Sequence, residues 1–160
     1  MKMILIDVDG VLTDGRVALD VHGNETKMIS YRDLDAIGVG RRHGYDFAFV
    51  TGEDTPMVNA LATRFKVERV YAGAKDKLAA MKAIAAEFGV SLGDLLYIGD
   101  SDRDAPALEA VGMGIVPRDA TANAKNAANF ITESNGGYGV LLEVVDKLAN
   151  GKMSFPGEDD

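Results

Sequence analysis

Two aspartates, Asp7 and Asp9, directly follow the apolar run from Met3 to Ile6 and precede Gly10. Residues two apart in a strand face the same side, so both carboxylates point into one space. The run suits a strand buried on both faces of a parallel sheet, and such sheets bind ligands beyond the carboxyl ends of their strands. With no basic residue beside them in the sequence, the two acids would repel each other unless a cation lay between them. The alternative is an acidic turn after a strand.

Further polar residues follow later strands in the same way. Asp100 comes after a third apolar strand, and Asp104 lies four residues on, on the same face of the helix that follows. Converging carboxylates favour a hard cation with oxygen ligands, most simply Mg²⁺. Thr51 and Gly52 precede a helix and offer a hydroxyl and backbone N–H groups to an anion, while Lys77 adds a positive charge.

The chemistry that such a set can perform is phosphoryl transfer. One carboxylate attacks phosphorus and becomes an aspartyl-phosphate, while the cation and the lysine neutralise the phosphoryl oxygens. A second carboxylate two residues on protonates the leaving alkoxide and then activates water to hydrolyse the intermediate. The spacing of Asp7 and Asp9 places both tasks at one point.

The elements that must position these residues alternate between strands and helices, which predicts an α/β fold, a doubly wound parallel sheet with right-handed crossovers. A hairpin of two strands, 16–21 and 25–30, is predicted directly after the first strand. The remaining predicted strands are 47–50, 67–71, 95–98 and 114–116. Three predicted helices have an aspartate N-cap: one runs from Asp33 to about residue 42, one from Asp76 to about residue 88, and one follows Asp119 over 120–128. The other three cover 56–65, the segment after Asp104 to about residue 111, and 140–148. Ala79, Ala80, Ile84 and Ala85 are the predicted inner face of the Asp76-capped helix.

The length and composition of the chain limit the class of protein, its location and its partners. The chain has 160 residues, 47% of them hydrophobic and 26% charged, which predicts one globular domain over 1–150 and a disordered tail over 151–160. We expect no transmembrane helix and no signal peptide, and the sequence has no cysteine, so the default location is cytoplasmic. The net charge of −8 argues against nucleic acid or an anionic membrane as a partner.

Four segments together resemble the motifs of the haloacid dehalogenase-like phosphatase superfamily. They are residues 7–13 (DVDGVLT), Val50-Thr51-Gly52, Lys77, and residues 99–104 (GDSDRD), in the order of that superfamily and within about residues 1–110. The resemblance implies that Asp7 is the nucleophile and Asp9 the general acid and base. It also implies that Mg²⁺ is held by the Asp7 carboxylate, the Asp9 backbone carbonyl and Asp100. Asp104 would support that site, and Thr51, Gly52 and Lys77 would hold the phosphoryl group.

A narrower resemblance covers nearly the whole chain. The run DGVLTDG, the hairpin, the absence of a separate cap domain and the closing residues 136–140 (GGYGV) are similar to sugar-acid phosphatases, which act on octulosonate 8-phosphate or on nine-carbon acid 9-phosphates. Those enzymes are homotetramers in which hairpins assemble and a neighbouring subunit closes each site. Glu53 stands where the octulosonate enzymes typically have arginine, as it does in the nine-carbon group, and Leu142 replaces another arginine. Glu53 is thus a specificity candidate, and Arg64 is a candidate replacement for carboxylate binding.

Three other functions stay open at this stage: a phosphatase of another small metabolite, a phospho-accepting receiver module, and an inactive scaffold that associates through the hairpin. Receivers also combine aspartates, a threonine and a lysine, but their acceptor aspartate follows the third strand. Asp9, two residues past Asp7, would speed hydrolysis and shorten a signal.

Overall fold

A six-stranded, fully parallel sheet forms the centre of the computed structural model, which describes residues 2–158. Its strands lie in the order β5-β4-β1-β6-β7-β8. The strands are β1 (Met3–Ile6), β4 (Asp46–Val50), β5 (Arg69–Tyr71), β6 (Leu96–Ile98), β7 (Met113–Val116) and β8 (Phe130–Ile131), and the hairpin strands are β2 (Ala18–Leu19) and β3 (Glu25–Thr26). This confirms the predicted α/β class.

Strand β1 lies in the middle of the sheet because it pairs with β4 on one side and β6 on the other. In the register, Ile6 lies beside Phe49 and Ile98. All three strands run in the same direction, so the residues that follow them meet at one edge of the sheet. Asp7, Thr51 and Asp100, which follow β1, β4 and β6, therefore lie at that edge.

Helices cover both faces of the sheet, three on each side. They are α1 (Tyr31–Arg42), α2 (Pro56–Phe65), α3 (Lys77–Phe88), α4 (Ala105–Ala110), α5 (Ala122–Ala127) and α6 (Val140–Ala149), with a 3₁₀ turn at Leu92–Asp94. Alternation along β1 sends Ile4 and Ile6 into the core beneath α1, α2 and α6, and Met3 and Leu5 into the core beneath α3, α4 and α5. Burial of both faces explains why the strand is apolar throughout.

The hairpin is shorter than predicted, with two ladder residues per strand in place of the six expected. Only two cross-strand pairs form, Ala18 with Thr26 and Leu19 with Glu25. Its apolar residues remain largely outside the core, and Val21 is 95% exposed and Met28 80% exposed.

Two predicted helix caps are wrong. Helix α1 begins two residues before Asp33, and Ser30 caps it by accepting a hydrogen bond from the Arg32 N–H. Asp33 is instead buried and accepts hydrogen bonds from the N–H groups of Gly139 and Leu141, at 3.3 and 3.0 Å, at the start of α6. It caps a helix more than 100 residues away, which no local pattern reveals.

Helix α5 is likewise capped by Thr121 rather than Asp119. Asp119 accepts a hydrogen bond of 2.9 Å from the Gly136 N–H and so ties two loops together. On α3 the buried face contains Lys77, Met81, Ile84 and Ala85, whereas Ala79 is exposed, which corrects that part of the predicted inner face.

The predicted disorder of the tail does not hold for residues 151–158, because Phe155 is buried in the core and stacks on Tyr45 at a centroid distance of 5.8 Å. Glu158 forms an ion pair with Lys2. Residues 159–160 of the predicted tail lie outside the described part of the chain. Within residues 2–158 no helix is long and apolar enough to cross a bilayer.

Candidate active site

Asp7 and Asp9 leave the end of β1 in a loop held by backbone contacts. The Asp7 N–H donates to the Ile98 carbonyl at 2.9 Å, which continues the ladder with β6 one residue past the strand. The buried hydroxyl oxygen of Thr13 accepts from the N–H groups of Gly10 and Gly15, at 3.3 and 3.1 Å. These bonds fix the loop that carries both aspartates.

Asp7, Asp100 and Asp104 form a carboxylate cluster, in which one oxygen from each lies within 4.8 Å of the others. Gly10 makes room for it. A Cβ at Gly10 would lie 1.8 Å from Asp100 Oδ2, and the residue has a φ of +82° that side chains disfavour. The cluster therefore requires glycine at this position.

Asp104 is fully committed to protein contacts. Its Oδ1 accepts from the Tyr97 hydroxyl at 2.5 Å and from Lys77 Nζ at 2.9 Å, and its Oδ2 accepts from the N–H groups of Asp100 and Ser101 at 2.9 and 3.1 Å. With both oxygens occupied, Asp104 is suited to position Asp100 and Lys77 rather than to bind a cation itself. These contacts are compatible with the supporting role expected from the sequence, which stays a prediction.

Lys77, at the start of α3, joins the two sides of the cluster. Its Nζ lies 3.2 Å from Asp7 Oδ1 and 3.1 Å from the Tyr97 hydroxyl. Burial lowers the pKa of Lys77, but the charges of Asp7 and Asp104 outweigh burial, and the net pKa is raised above its ordinary value. The lysine is thus held charged beside the carboxylate expected to attack phosphorus.

The positive charge of Lys77 does not fully offset the electrostatic repulsion among the carboxylates of this cluster. Burial and then the charge of Asp104 raise the pKa of Asp7 well above its ordinary value, against the opposing effect of Lys77. Burial and Asp104 also raise the pKa of Asp100 to about 7. A divalent cation bound to Asp7 and Asp100 would relieve this repulsion, and carboxylate oxygens are the ligands that Mg²⁺ prefers. The donor set fits Mg²⁺.

Thr51 and Gly52 lie beside the cluster at the end of β4. Thr51 is buried, its N–H donates to the Tyr71 carbonyl at 3.0 Å, and its hydroxyl oxygen accepts from the Glu53 N–H at 3.2 Å. The Ala74 N–H donates to the Thr51 carbonyl at 2.8 Å and fastens this loop to the one before α3. The same cleft is lined by Asp7, Thr51, Gly52 and Lys77, so the predicted phosphate-binding residues are brought together.

Asp9 lines the same cleft and pairs with a residue that the sequence analysis missed. Lys27 Nζ lies 2.8 Å from Asp9 Oδ1 and 3.0 Å from Glu53 Oε2. Lys77 lies next to Asp7, as the sequence analysis expected, whereas Lys27 next to Asp9 is a basic partner that it did not expect. No local signal identifies Lys27, because the strand before it has two residues and ends at Thr26.

Arg64 is not among the cleft residues within 2–158. It lies on α2 in a second groove, with its guanidinium 6.0 Å from the centroid of the Tyr31 ring. Within one chain, Arg64 is therefore not placed to bind a substrate carboxylate. Lys75 and Arg103 are cations that do line the cleft.

A carboxylate cluster, a buried lysine and a threonine–glycine turn meet at the end of a parallel sheet, and this arrangement fits a phosphomonoesterase site. A sequence profile of the haloacid dehalogenase-like hydrolases matches residues 65–144. The chain belongs to the haloacid dehalogenase-like hydrolase family.

Similar proteins share most of their length with this chain. The 3-deoxy-D-manno-octulosonate 8-phosphate phosphatase of Haemophilus influenzae is 31% identical over 156 residues, which cover 96% of this chain and 87% of that protein. The Escherichia coli phosphatase of the same name is 29% identical over 155 residues, or 96% of this chain and 82% of the other.

Solved structures show the same fold. The octulosonate 8-phosphate phosphatase from Moraxella catarrhalis, in complex with a magnesium ion, a phosphate ion and a KDO molecule, superposes with a TM-score of 0.88 at 29% identity, covering 94% of this chain and 86% of that chain. The cobalt-bound enzyme from Haemophilus influenzae gives a TM-score of 0.86 at 29% identity, with 95% and 89% covered. The family membership excludes the receiver alternative.

Proposed function

We propose that this protein is a Mg²⁺-dependent phosphatase that hydrolyses the phosphate monoester of an eight- or nine-carbon 2-keto-3-deoxy sugar acid. The observation that carries the reaction is that the two aspartates have different partners in one cleft. Asp7 lies with Asp100 and Lys77, whereas Asp9 pairs with Lys27. The similarity to octulosonate 8-phosphate phosphatases supports the substrate class.

In the first half of the reaction, a carboxylate oxygen of Asp7 attacks phosphorus and the bond from phosphorus to the ester oxygen breaks. The leaving oxygen takes the proton from the Asp9 carboxyl group and departs as the sugar hydroxyl. The N–H of Val8 donates to Asp7 Oδ1 at 2.9 Å and, with Lys77, orients the carboxylate for attack. Thr51, Gly52 and Lys77 hold the phosphoryl oxygens.

In the second half, the Asp9 carboxylate takes a proton from water, which attacks phosphorus and breaks the bond to Asp7. Inorganic phosphate leaves and both aspartates return to their starting states. Asp7, Asp100 and the Asp9 carbonyl would hold Mg²⁺, which would neutralise the phosphoryl charge. Asp104 keeps Asp100 and Lys77 in place throughout.

The identity of the sugar acid depends on Glu53, which lines the cleft and is 43% exposed in its side chain. A carboxylate there can accept hydrogen bonds from sugar hydroxyls or an amine, but it repels a substrate carboxylate. The Glu53 side chain therefore favours a substrate whose acidic group lies away from it. Lys75 and Arg103 at the cleft wall are the cations available within this chain for that acidic group.

The test is phosphate release from a panel of hexose phosphates, octulosonate 8-phosphate and nine-carbon acid 9-phosphates, with Mg²⁺ and with a chelator. We expect metal-dependent release that favours an eight- or nine-carbon acid. Asp7→Asn should abolish turnover because the amide cannot form the phosphoenzyme. Asp146→Asn, on the exposed face of α6, is the matched control and should retain activity.

Equal slow release from every ester would refute the sugar-acid proposal and leave the alternative of another small metabolite. Turnover by Asp7→Asn would refute the assigned nucleophile. No release from any ester by the wild-type protein would contradict the phosphatase itself.

We also propose that the protein works as a homotetramer in the cytoplasm, where phosphorylated sugars are confined by the cost of moving their charge across a membrane. The exposed apolar residues of the hairpin region support assembly: Val17, Leu19, Val21, Met28 and Tyr31. Light scattering on a size-exclusion column should give four chains, and Val21→Asp with Met28→Asp should lower that number. A monomer in the wild-type protein would contradict the assembly.

A further inference from the structure

Lys27 is the one residue of the hairpin strands and their flanks whose charged group is withdrawn from solvent within residues 2–158. Its side chain is 2% exposed, whereas Glu25, Thr26 and Met28 around it are exposed. A buried ammonium group is stable only when it is paired and hydrogen-bonded. Here the pairing groups are Asp9 and Glu53, which come from two other segments of the chain.

The position of Asp9 depends on this contact. Asp9 is two residues from Asp7, yet its carboxylate does not join the cluster of Asp7, Asp100 and Asp104. A flexible carboxylate next to a cation site would otherwise be drawn to the metal and lost as a proton donor. The ion pair of 2.8 Å with Lys27 gives the Asp9 carboxylate a partner outside that cluster.

We propose that Lys27 is a positioning residue for the general acid: it holds the Asp9 carboxyl group where the leaving oxygen of the substrate departs. Each catalytic aspartate then has its own lysine. Lys77 serves Asp7 from α3, and Lys27 serves Asp9 from the hairpin. The inference rests on the proposed phosphatase function and concerns the step in which the bond to the leaving oxygen breaks and the proton of Asp9 moves to that oxygen.

Leaving-group dependence provides the test, because proton donation matters for a strongly basic leaving oxygen and little for a weakly basic one. The probes are 4-nitrophenyl phosphate and 4-methylphenyl phosphate, which have similar shapes and differ in the basicity of the phenolate. The readout is kcat/KM, which reports formation of the phosphoenzyme and is independent of its later hydrolysis.

Lys27→Met removes the charge and keeps an unbranched side chain that is shorter by one heavy atom. We expect kcat/KM to fall about tenfold more for 4-methylphenyl phosphate than for 4-nitrophenyl phosphate, which is below the range of about 10²–10⁴ for general acid catalysis because Asp9 itself remains. Asp9→Asn should show the same dependence more strongly. Adding Lys27→Met to Asp9→Asn should not increase it further, because both changes remove one proton-donating unit.

Two further variants distinguish this role from a general effect on the cleft. Lys82→Met, at an exposed position of α3, is the matched control and should leave both substrates unaffected. Glu53→Gln removes the charge of the second partner of Lys27 and keeps the pair of Lys27 with Asp9, so we expect the ratio of kcat/KM between the two substrates to stay at the wild-type value. The same substrate dependence in Glu53→Gln as in Lys27→Met would overturn the assignment to Asp9.

An equal loss on both substrates in Lys27→Met, with an active wild-type enzyme, would also overturn the proposal and assign Lys27 a purely structural role. Inactivity of the wild-type enzyme towards both esters would instead contradict the phosphatase function. The two failures are therefore distinguishable in one experiment.

Discussion

Replacing Tyr97 with phenylalanine removes one hydroxyl from the buried network behind Asp7 and leaves the ring in place. Tyr97 is fully buried on β6, donates to Asp104 Oδ1 at 2.5 Å and accepts from Lys77 Nζ at 3.1 Å. Burial raises the pKa of Asp104, but Lys77 and the Tyr97 hydroxyl outweigh it and the net pKa is lowered. The hydroxyl therefore helps to keep Asp104 ionised.

The expected loss follows from the bonds that remain. A hydrogen bond to a charged group is worth about 1.5–3 kcal/mol. Asp104 Oδ1 keeps Lys77 as a donor, and Lys77 keeps Asp7 and Asp104 as partners, so no charge is orphaned. We expect Tyr97→Phe to reduce the free energy of unfolding by about 2 kcal/mol, which corresponds to about 4–8 °C in Tm for a domain of this size.

Urea and thermal unfolding measure this loss, with Tyr45→Phe as the matched control. Tyr45 stacks on Phe155, and its hydroxyl makes no protein hydrogen bond among the described residues, so its removal should change stability by less than about 0.5 kcal/mol. Equal effects of the two variants would show that the Tyr97 hydroxyl does not bond to the Lys77–Asp104 pair. The Tyr97 variant should also lose activity, though less than Lys77→Met, since it retains both charges.

Three other predictions concern Gly10, Asp33 and Phe155. Gly10→Ala should abolish Mg²⁺-dependent activity because the added Cβ would overlap Asp100. The control is Gly23→Ala, at a similar φ of +81° but with open space around it, which should incur only the backbone strain and stay active. Equal activities of the two variants would refute the crowding argument. Burial raises the pKa of Asp33 to about 6, so the protonated form of Asp33 is the one that stabilises the fold. The free energy of unfolding of the wild type relative to Asp33→Asn should therefore be greatest below about pH 4 and fall by about 3 kcal/mol as the pH rises through 6. A pH-independent difference in urea unfolding would contradict this prediction. Phe155→Ala should cost about 3–5 kcal/mol of unfolding free energy if the C-terminal segment is part of the core, and a loss under about 1 kcal/mol would return it to the disordered tail of the sequence prediction.

The sheet and most helices could be predicted from local sequence because their signals are local. Buried strands such as β1 and β6 are continuous apolar runs, and α3 begins after the capping residue Asp76 and ends at Gly89. The order of the polar residues after these strands then predicts one shared edge, since parallel strands present their carboxyl ends together.

The predictions that failed concern contacts between segments that are far apart in the chain. Asp33 fits a local N-cap pattern equally well, but burial against α6 gives it a different donor pair. Lys27 lies in a hairpin of two-residue strands, so no periodicity marks its inward direction. The composition of the tail favours disorder, and the single aromatic residue Phe155 decides the outcome by entering the core.

The central position of β1 in the sheet determines how late in synthesis the candidate active site can form. The proposed nucleophile Asp7 follows β1, and the strands that flank β1, which are β4 and β6, come from segments about 40 and 90 residues later. The loop beyond it is then closed by Gly137, whose N–H donates to the Val11 carbonyl at 2.9 Å. A nascent chain therefore carries Asp7 through the synthesis of residues 8–137 before this loop can close, so catalytic competence would itself report that these segments have come together.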